Sequence, residues 1–89
     1  MQRYHVTIIS VDGLILGDGF ANRAAIAINK AAKNTNKRDV ERVINDYKKI
    51  KVIVRENEEE IFFVFADTLV DAVMAAKEMN KKSRAGNGR

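Results

Sequence analysis

Tyr4-His5-Val6-Thr7-Ile8-Ile9-Ser10-Val11-Asp12-Gly13-Leu14-Ile15-Leu16 is the stretch whose reading decides the fold. Tyr4, Val6 and Ile8 alternate with His5 and Thr7, the period of two that a half-buried strand requires. Asp12-Gly13 between two apolar runs predicts a tight hairpin, because both central residues of a type I′ turn take positive φ. Leu14-Ile15-Leu16 then pairs back, and Gly17 and Gly19 are expected to end that strand or kink it into the next element.

Downstream, Asn22 is the expected N-cap of a helix reaching about Lys33, with Ile26, Ala27, Ala31 and either Ile28 or Ala24 facing inward. Its many alanines suit close packing on a sheet. Asn34-Thr35-Asn36 breaks the pattern and offers a cap for a second helix over about Lys37–Lys49. There Val40, Val43, Ile44 and Tyr47 fall at i, i+3, i+4 and i+7. A strand over Ile50–Arg55, a loop over Glu56–Glu60 and a second strand over Ile61–Phe65 follow. The last run is apolar on both faces, as in a central strand covered on both sides or one whose second face meets another chain. Asp67 or Thr68 caps a final helix that buries Leu69, Val70, Val73, Met74 and Ala76 and ends near Asn80.

The predicted fold is therefore α+β, with two layers: a four-stranded antiparallel sheet in ββααββα order and helices packed on one face. Hairpin plus helix occurs twice, over about residues 3–33 and 50–80, as a repeat of pattern whose residue identities do not align. Residues 1–80 are read as a single α+β domain. Residues 81–89 are read as a disordered basic tail, since they hold no apolar side chain larger than alanine.

Several chemistries have little to work with. The chain has no cysteine, so disulfides, thiolate metal sites and cysteine nucleophiles are excluded. His5 is the sole histidine and has no cysteine or evident serine partner in sequence. Asp12 serves turn geometry, and Gly17-Asp18-Gly19 is too short for a phosphate-binding loop. The carboxylates Glu56, Glu58, Glu59 and Glu60 lack the alternating ligands and central glycine of a calcium loop. No enzyme activity, metal or cofactor is expected. No apolar run approaches the length of a membrane span, and the amino terminus lacks a signal-peptide pattern, so a cytoplasmic location without membrane association is expected.

Charge is distributed unevenly. The chain carries sixteen Lys and Arg against twelve Asp and Glu, net +4. Residues 30–51 hold eight basic and three acidic side chains, net +5, whereas residues 52–80 hold two and seven, net −5. The remaining excess belongs to Lys81, Lys82, Arg84 and Arg89, so residues 1–80 are neutral but polarised. Basic side chains around the second helix, Lys37, Arg38, Arg42, Lys48 and Lys49, with Lys81, Lys82 and Arg84 of the tail, are the candidate phosphate contacts to duplex DNA or RNA. Such side chains also coat the solvent face of ordinary amphipathic helices. The expected function is non-enzymatic nucleic-acid binding. The alternative is a protein–protein interaction module, a small inhibitor or adaptor of the size encoded by phages and mobile elements, acting as a homo-oligomer through the Ile61–Phe65 strand or through the opposed charges.

Two partial resemblances point the same way. Val6–Ala32, with its Asp12-Gly13 hairpin, Gly17-Asp18-Gly19 and alanine-rich helix, resembles the hairpin-plus-helix half of a double-stranded-RNA-binding domain, although only Arg23 stands where that family opens its helix with lysines. Lys30-Ala31-Ala32, Val54-Arg55-Glu56 and Val64-Phe65 are similar to the small archaeal non-histone chromosomal proteins, which implies DNA bending; Glu58, Glu59 and Glu60 occupy a loop that is basic in that family.

Overall fold

The computed structural model describes residues 2–87, with side chains through Lys82. Its elements are β1 Tyr4–Ser10, β2 Ile15–Ala21, α1 Ala24–Lys33, α2 Lys37–Asn45, β3 Ile50–Glu56, β4 Glu59–Ala66 and α3 Leu69–Asn87. The strands form one antiparallel sheet in the order β2-β1-β3-β4, with the helices packed against it. This is the predicted α+β architecture. No helix among the described residues is long and apolar enough to cross a membrane.

Alternation along the strands separates the two faces of the sheet. Val6 and Ile8 of β1 and Ile50, Val52 and Val54 of β3 are fully buried and join Ala27, Ile28, Val40, Val43, Ala72 and Ala76 of the helices in one core. Ile53 is also buried but stands outside that core, because its side chain points to the opposite face. All three helices thus share one side.

The sheet contains an internal repeat in its register. β1 and β3 pair about Thr7 and Ile53. On β2 the pairing steps from Gly17 to Ile15 and leaves Leu16 as a bulge; on β4 it steps from Phe62 to Glu60 and leaves Ile61 as a bulge at the corresponding point. The inward residues of α1, Ala24, Ala27, Ile28 and Ala31, correspond to Leu69, Ala72, Val73 and Ala76 of α3. Phe20-Ala21-Asn22 likewise corresponds to Phe65-Ala66-Asp67. The two ββα halves are related residue by residue, a match that composition and periodicity did not reveal.

Several local expectations are corrected. Gly17 and Gly19 neither end nor kink β2 but lie within it, opposite Ile8 and Val6. α1 lies directly on them: a Cβ at Gly19 would sit 2.5 Å from the Ala31 amide nitrogen and 2.8 Å from the Ala27 carbonyl oxygen. That contact sets the rotation of α1, burying both Ala24 and Ile28 and turning Ile26 outward. Asn22 does not cap α1, since its Oδ1 accepts the Arg3 backbone N–H at 3.3 Å; Arg23 holds the N-cap position without a side-chain bond.

α2 ends at Asn45, earlier than the expected Lys49. The N–H groups of Lys48 and Tyr47 return to the carbonyls of Val43 and Ile44, closing the helix with Tyr47 at φ 57°. Tyr47 therefore leaves the apolar stripe and is 96% exposed. The predicted loop over Glu56–Glu60 is only the two-residue turn Asn57-Glu58, both with positive φ, so Glu59 and Glu60 belong to β4. Asp12-Gly13 makes a longer connection in which Gly13 alone has positive φ. β4 is an edge strand rather than a central one. In α3, Val70 and Met74 are exposed, and the helix passes Asn80 to reach Asn87 because Lys, Arg and Ala sustain helix without a breaker before Gly86.

A polar clamp ties the first hairpin to the link after α2. Lys48 Nζ donates to Asp12 Oδ2 at 2.5 Å, the Ser10 hydroxyl donates to Asp12 Oδ1, and Val11 N–H donates to the Lys49 carbonyl. The Lys48 hydrogen bond, followed by that of Ser10, lowers the Asp12 carboxyl to about 2. The same bond raises Lys48.

Three measurements check this description. Gly19→Ala is expected to cost about 1–3 kcal/mol, read as a lower thermal midpoint, because the helix backbone must move. Tyr47→Gly is expected to stabilise by about 0.5–1 kcal/mol, since the left-handed backbone is relieved and no packing is lost. Because the folded Asp12 carboxyl is depressed, its contribution is present above the ordinary carboxylate range and is lost as pH falls toward about 2. An acid-unfolding curve of Asp12→Asn should therefore be flatter than the parent between about pH 4 and 2.

Candidate functional site

The helix-free face of the sheet gathers most of the chain's exposed aromatic rings. Antiparallel register lays three rows across it: Phe20, His5, Arg55 and Glu60; Asp18, Thr7, Ile53 and Phe63; Ile15, Ile9, Lys51 and Phe65. The β-strand period of two places these residues together and sends their neighbours into the core. Phe20, Phe63 and Phe65 remain 44–48% exposed although they lie on a sheet, because no helix covers this side.

On the β2 side, the rings of His5 and Phe20 stack in parallel with centroids 4.1 Å apart. His5 Nε2 lies 3.1 Å from Asp18 Oδ2, which holds the imidazole against the phenylalanine. On the β4 side, Phe63 and Phe65 meet edge to face at 5.4 Å. Lys51 Nζ lies 4.4 Å above the Phe63 ring and 5.5 Å from that of Phe65, a cation–π arrangement that fixes its charge on the face. Between the two aromatic pairs, Arg55 donates from Nη1 to Thr7 Oγ1 at 2.9 Å. That bond uses one of five guanidinium donors and orients the rest. A shallow groove of about 820 Å³ runs over His5, Thr7, Phe20 and Arg55 toward Asn57 and Arg3.

This surface offers planar apolar rings for stacking and two oriented cations for anionic groups. It also carries acidic groups, Asp18 and Glu60. Beyond the rings, Ile15 is 64% exposed and Ile61 is 44% exposed, so the β2 and β4 edges are partly aliphatic.

The basic residues singled out from sequence lie elsewhere. Lys37, Arg38 and Arg42 are exposed on α2, interleaved with Asp39 and Glu41. Lys48 and Lys49 follow that helix and are paired, the first to Asp12 and the second to Asp67 Oδ1 at 3.0 Å. Lys81 and Lys82 are exposed on α3, and the side chain of Arg84 lies outside the described residues. None of these lines the groove on the open face. The basic and acidic segments of the sequence thus meet within the molecule, at Lys49 and Asp67.

Sequence reasoning missed Phe20, Phe63, Phe65, His5, Lys51 and Arg55 as a group, since a run apolar on both faces reads as a strand covered on both sides or one that meets another chain. The usable signal was the match of Phe20-Ala21-Asn22 with Phe65-Ala66-Asp67, which assigns Phe20 and Phe65 to equivalent positions on one face. No protein-family model, curated protein or solved structure matches the chain.

Proposed function

We propose that the protein binds single-stranded nucleic acid on the open face of its sheet. The observation that carries this reading is the placement of Phe20, Phe63 and Phe65, half exposed, beside Lys51 and Arg55 on a face without helices. Unpaired bases stack on such rings for about 1–3 kcal/mol each, whatever their identity, while the cations take phosphates. A duplex cannot use the rings, because its bases are already stacked. A duplex on α2 would also have to compete with the carboxylates that already pair with Lys48 and Lys49.

The width of the sheet sets the footprint. Phe20 and Phe65 stand on opposite edge strands, three strand spacings apart, or about 14 Å. A strand crossing the sheet would engage both aromatic pairs, with Arg55 between them. Ionic contributions are modest, since two phosphate contacts imply a log–log salt slope of about −1.4 for a single strand.

A second reading is favoured by the aliphatic edges, Ile15 and Ile61: the same face buries itself against a second copy of the chain. Fluorescence anisotropy with labelled oligothymidylate or oligouridylate at low salt separates the two. Binding that weakens about 5- to 150-fold in each of Phe20→Ala and Phe65→Ala, with little affinity for a matched duplex, is the expected result. Absence of strand binding, together with a sedimenting dimer that Phe65→Ala dissociates, would replace the first reading with the second.

A further inference from the structure

A second cleft, of about 380 Å³, opens at the start of α1 and is lined by Arg3, Tyr4, Asn22, Arg23, Ala24 and Asn80. The first intrahelical bond of α1 runs from the Ala27 N–H to the Arg23 carbonyl, so the N–H groups of Ala24, Ala25 and Ile26 have no partner within the helix. No side chain caps them. The Asn22 side-chain Oδ1 accepts the Arg3 backbone N–H instead. In the second repeat the corresponding turn is closed, with Thr68 Oγ1 accepting the Asp71 N–H at 3.1 Å; Arg23 occupies the position equivalent to that threonine.

Asn80 is an independent observation. It reaches the cleft from α3 and is only 7% exposed, yet its amide has no hydrogen-bond partner among the described residues. No fully buried side-chain nitrogen or oxygen among those residues lacks a partner. The Asn80 amide therefore retains solvent contact, and the cleft it lines supplies it. A carboxamide so enclosed takes its polar partner from the cleft, either water or a ligand that displaces it.

We propose that this cleft binds a phosphate group. The Ala24 N–H, which lines the cleft at the positive end of a helix, the Arg23 guanidinium and the Asn80 NH₂ are all donors, and a tetrahedral oxyanion supplies only acceptors. Arg3 is already ion-paired with Glu56, so Arg23 supplies the uncompensated positive charge. Arg3 also lines the groove on the open face, which makes the cleft and the groove neighbours. On the single-strand reading, from which this assignment follows, the phosphate is the terminal phosphate of the strand lying across the sheet.

The site is tested by ¹⁵N-correlated NMR of the full chain titrated with sodium phosphate, with chloride at matched ionic strength as the control. Saturable shifts at the Ala24, Ala25 and Ile26 amides and the Asn80 side-chain NH₂ are expected, and their loss in Arg23→Glu and in Asn80→Ser. Both variants should keep a cooperative thermal transition. Unmoved signals at tens of millimolar phosphate overturn the site whether or not strands bind. A second arm compares oligothymidylates carrying a 5′-phosphate, a 3′-phosphate or neither; one phosphorylated form should bind about tenfold tighter, and Arg23→Glu should erase the difference. Phosphate shifts without such a preference uphold the site as one for free phosphate and overturn its assignment to a strand terminus. Phosphate shifts with no strand binding at all overturn the single-strand reading itself.

Discussion

The pairing of β1 with β3 is the interaction on which the rest of the structure depends. Val6 faces Val54 and Ile8 faces Val52, and all four are fully buried at the centre of the molecule. Each ββα half has only two strands and one helix, too little to enclose a core. Joining the halves through their inner strands makes a four-stranded sheet on which α1 and α3 also meet. The outer strands become edges, and the equivalent bulges at Leu16 and Ile61 fall on opposite sides of the pseudo-twofold axis. They differ in surroundings, since Leu16 is buried in the core while Ile61 is exposed.

Small side chains make the helical layer close. Gly17 and Gly19 bring α1 into contact with the backbone of β2, and Ala27 and Ala31 complete the approach from the helix side. The second repeat reaches the same layer with Phe62 and Val64 on its strand, which stand where the first has glycines. A duplicated framework thus carries two different interiors. It also carries two different helix starts, one closed by Thr68 and the other lined by Arg23, and two different aromatic clusters on the open face. Phe20 and Phe65 keep equivalent positions on that face, whereas their partners His5 and Phe63 do not.

Much of the fold was legible in local patterns. The alternation in Tyr4–Ser10 identified β1, Asn36 capped α2 as its position implied, accepting the Asp39 N–H, and Val40 and Val43 were buried as their spacing required. Legibility failed where a local signal competed with a distant partner. Gly17 and Gly19, read as breakers, were contact points for a helix that any larger side chain would have held away. Asn22 read as a cap was drawn to Arg3, and Ile26 yielded the inward face to Ile28. The candidate site was less legible still, since the run Ile61–Phe65 shows the same five apolar residues whether both faces are covered or only one.

The sequence by itself determined the kind and order of the elements, the absence of cysteine chemistry and the neutrality of residues 1–80, because periodicity, capping and charge are properties of neighbouring residues. Only the tertiary structure decided which strands lie at the edge, which face the helices leave open, and that Lys48 and Lys49 are paired with Asp12 and Asp67. Those outcomes follow from register between distant segments. A shift of one residue in that register would exchange every inward side chain of a strand for an outward one, and nothing local to Phe63 or Lys51 records which alternative is adopted.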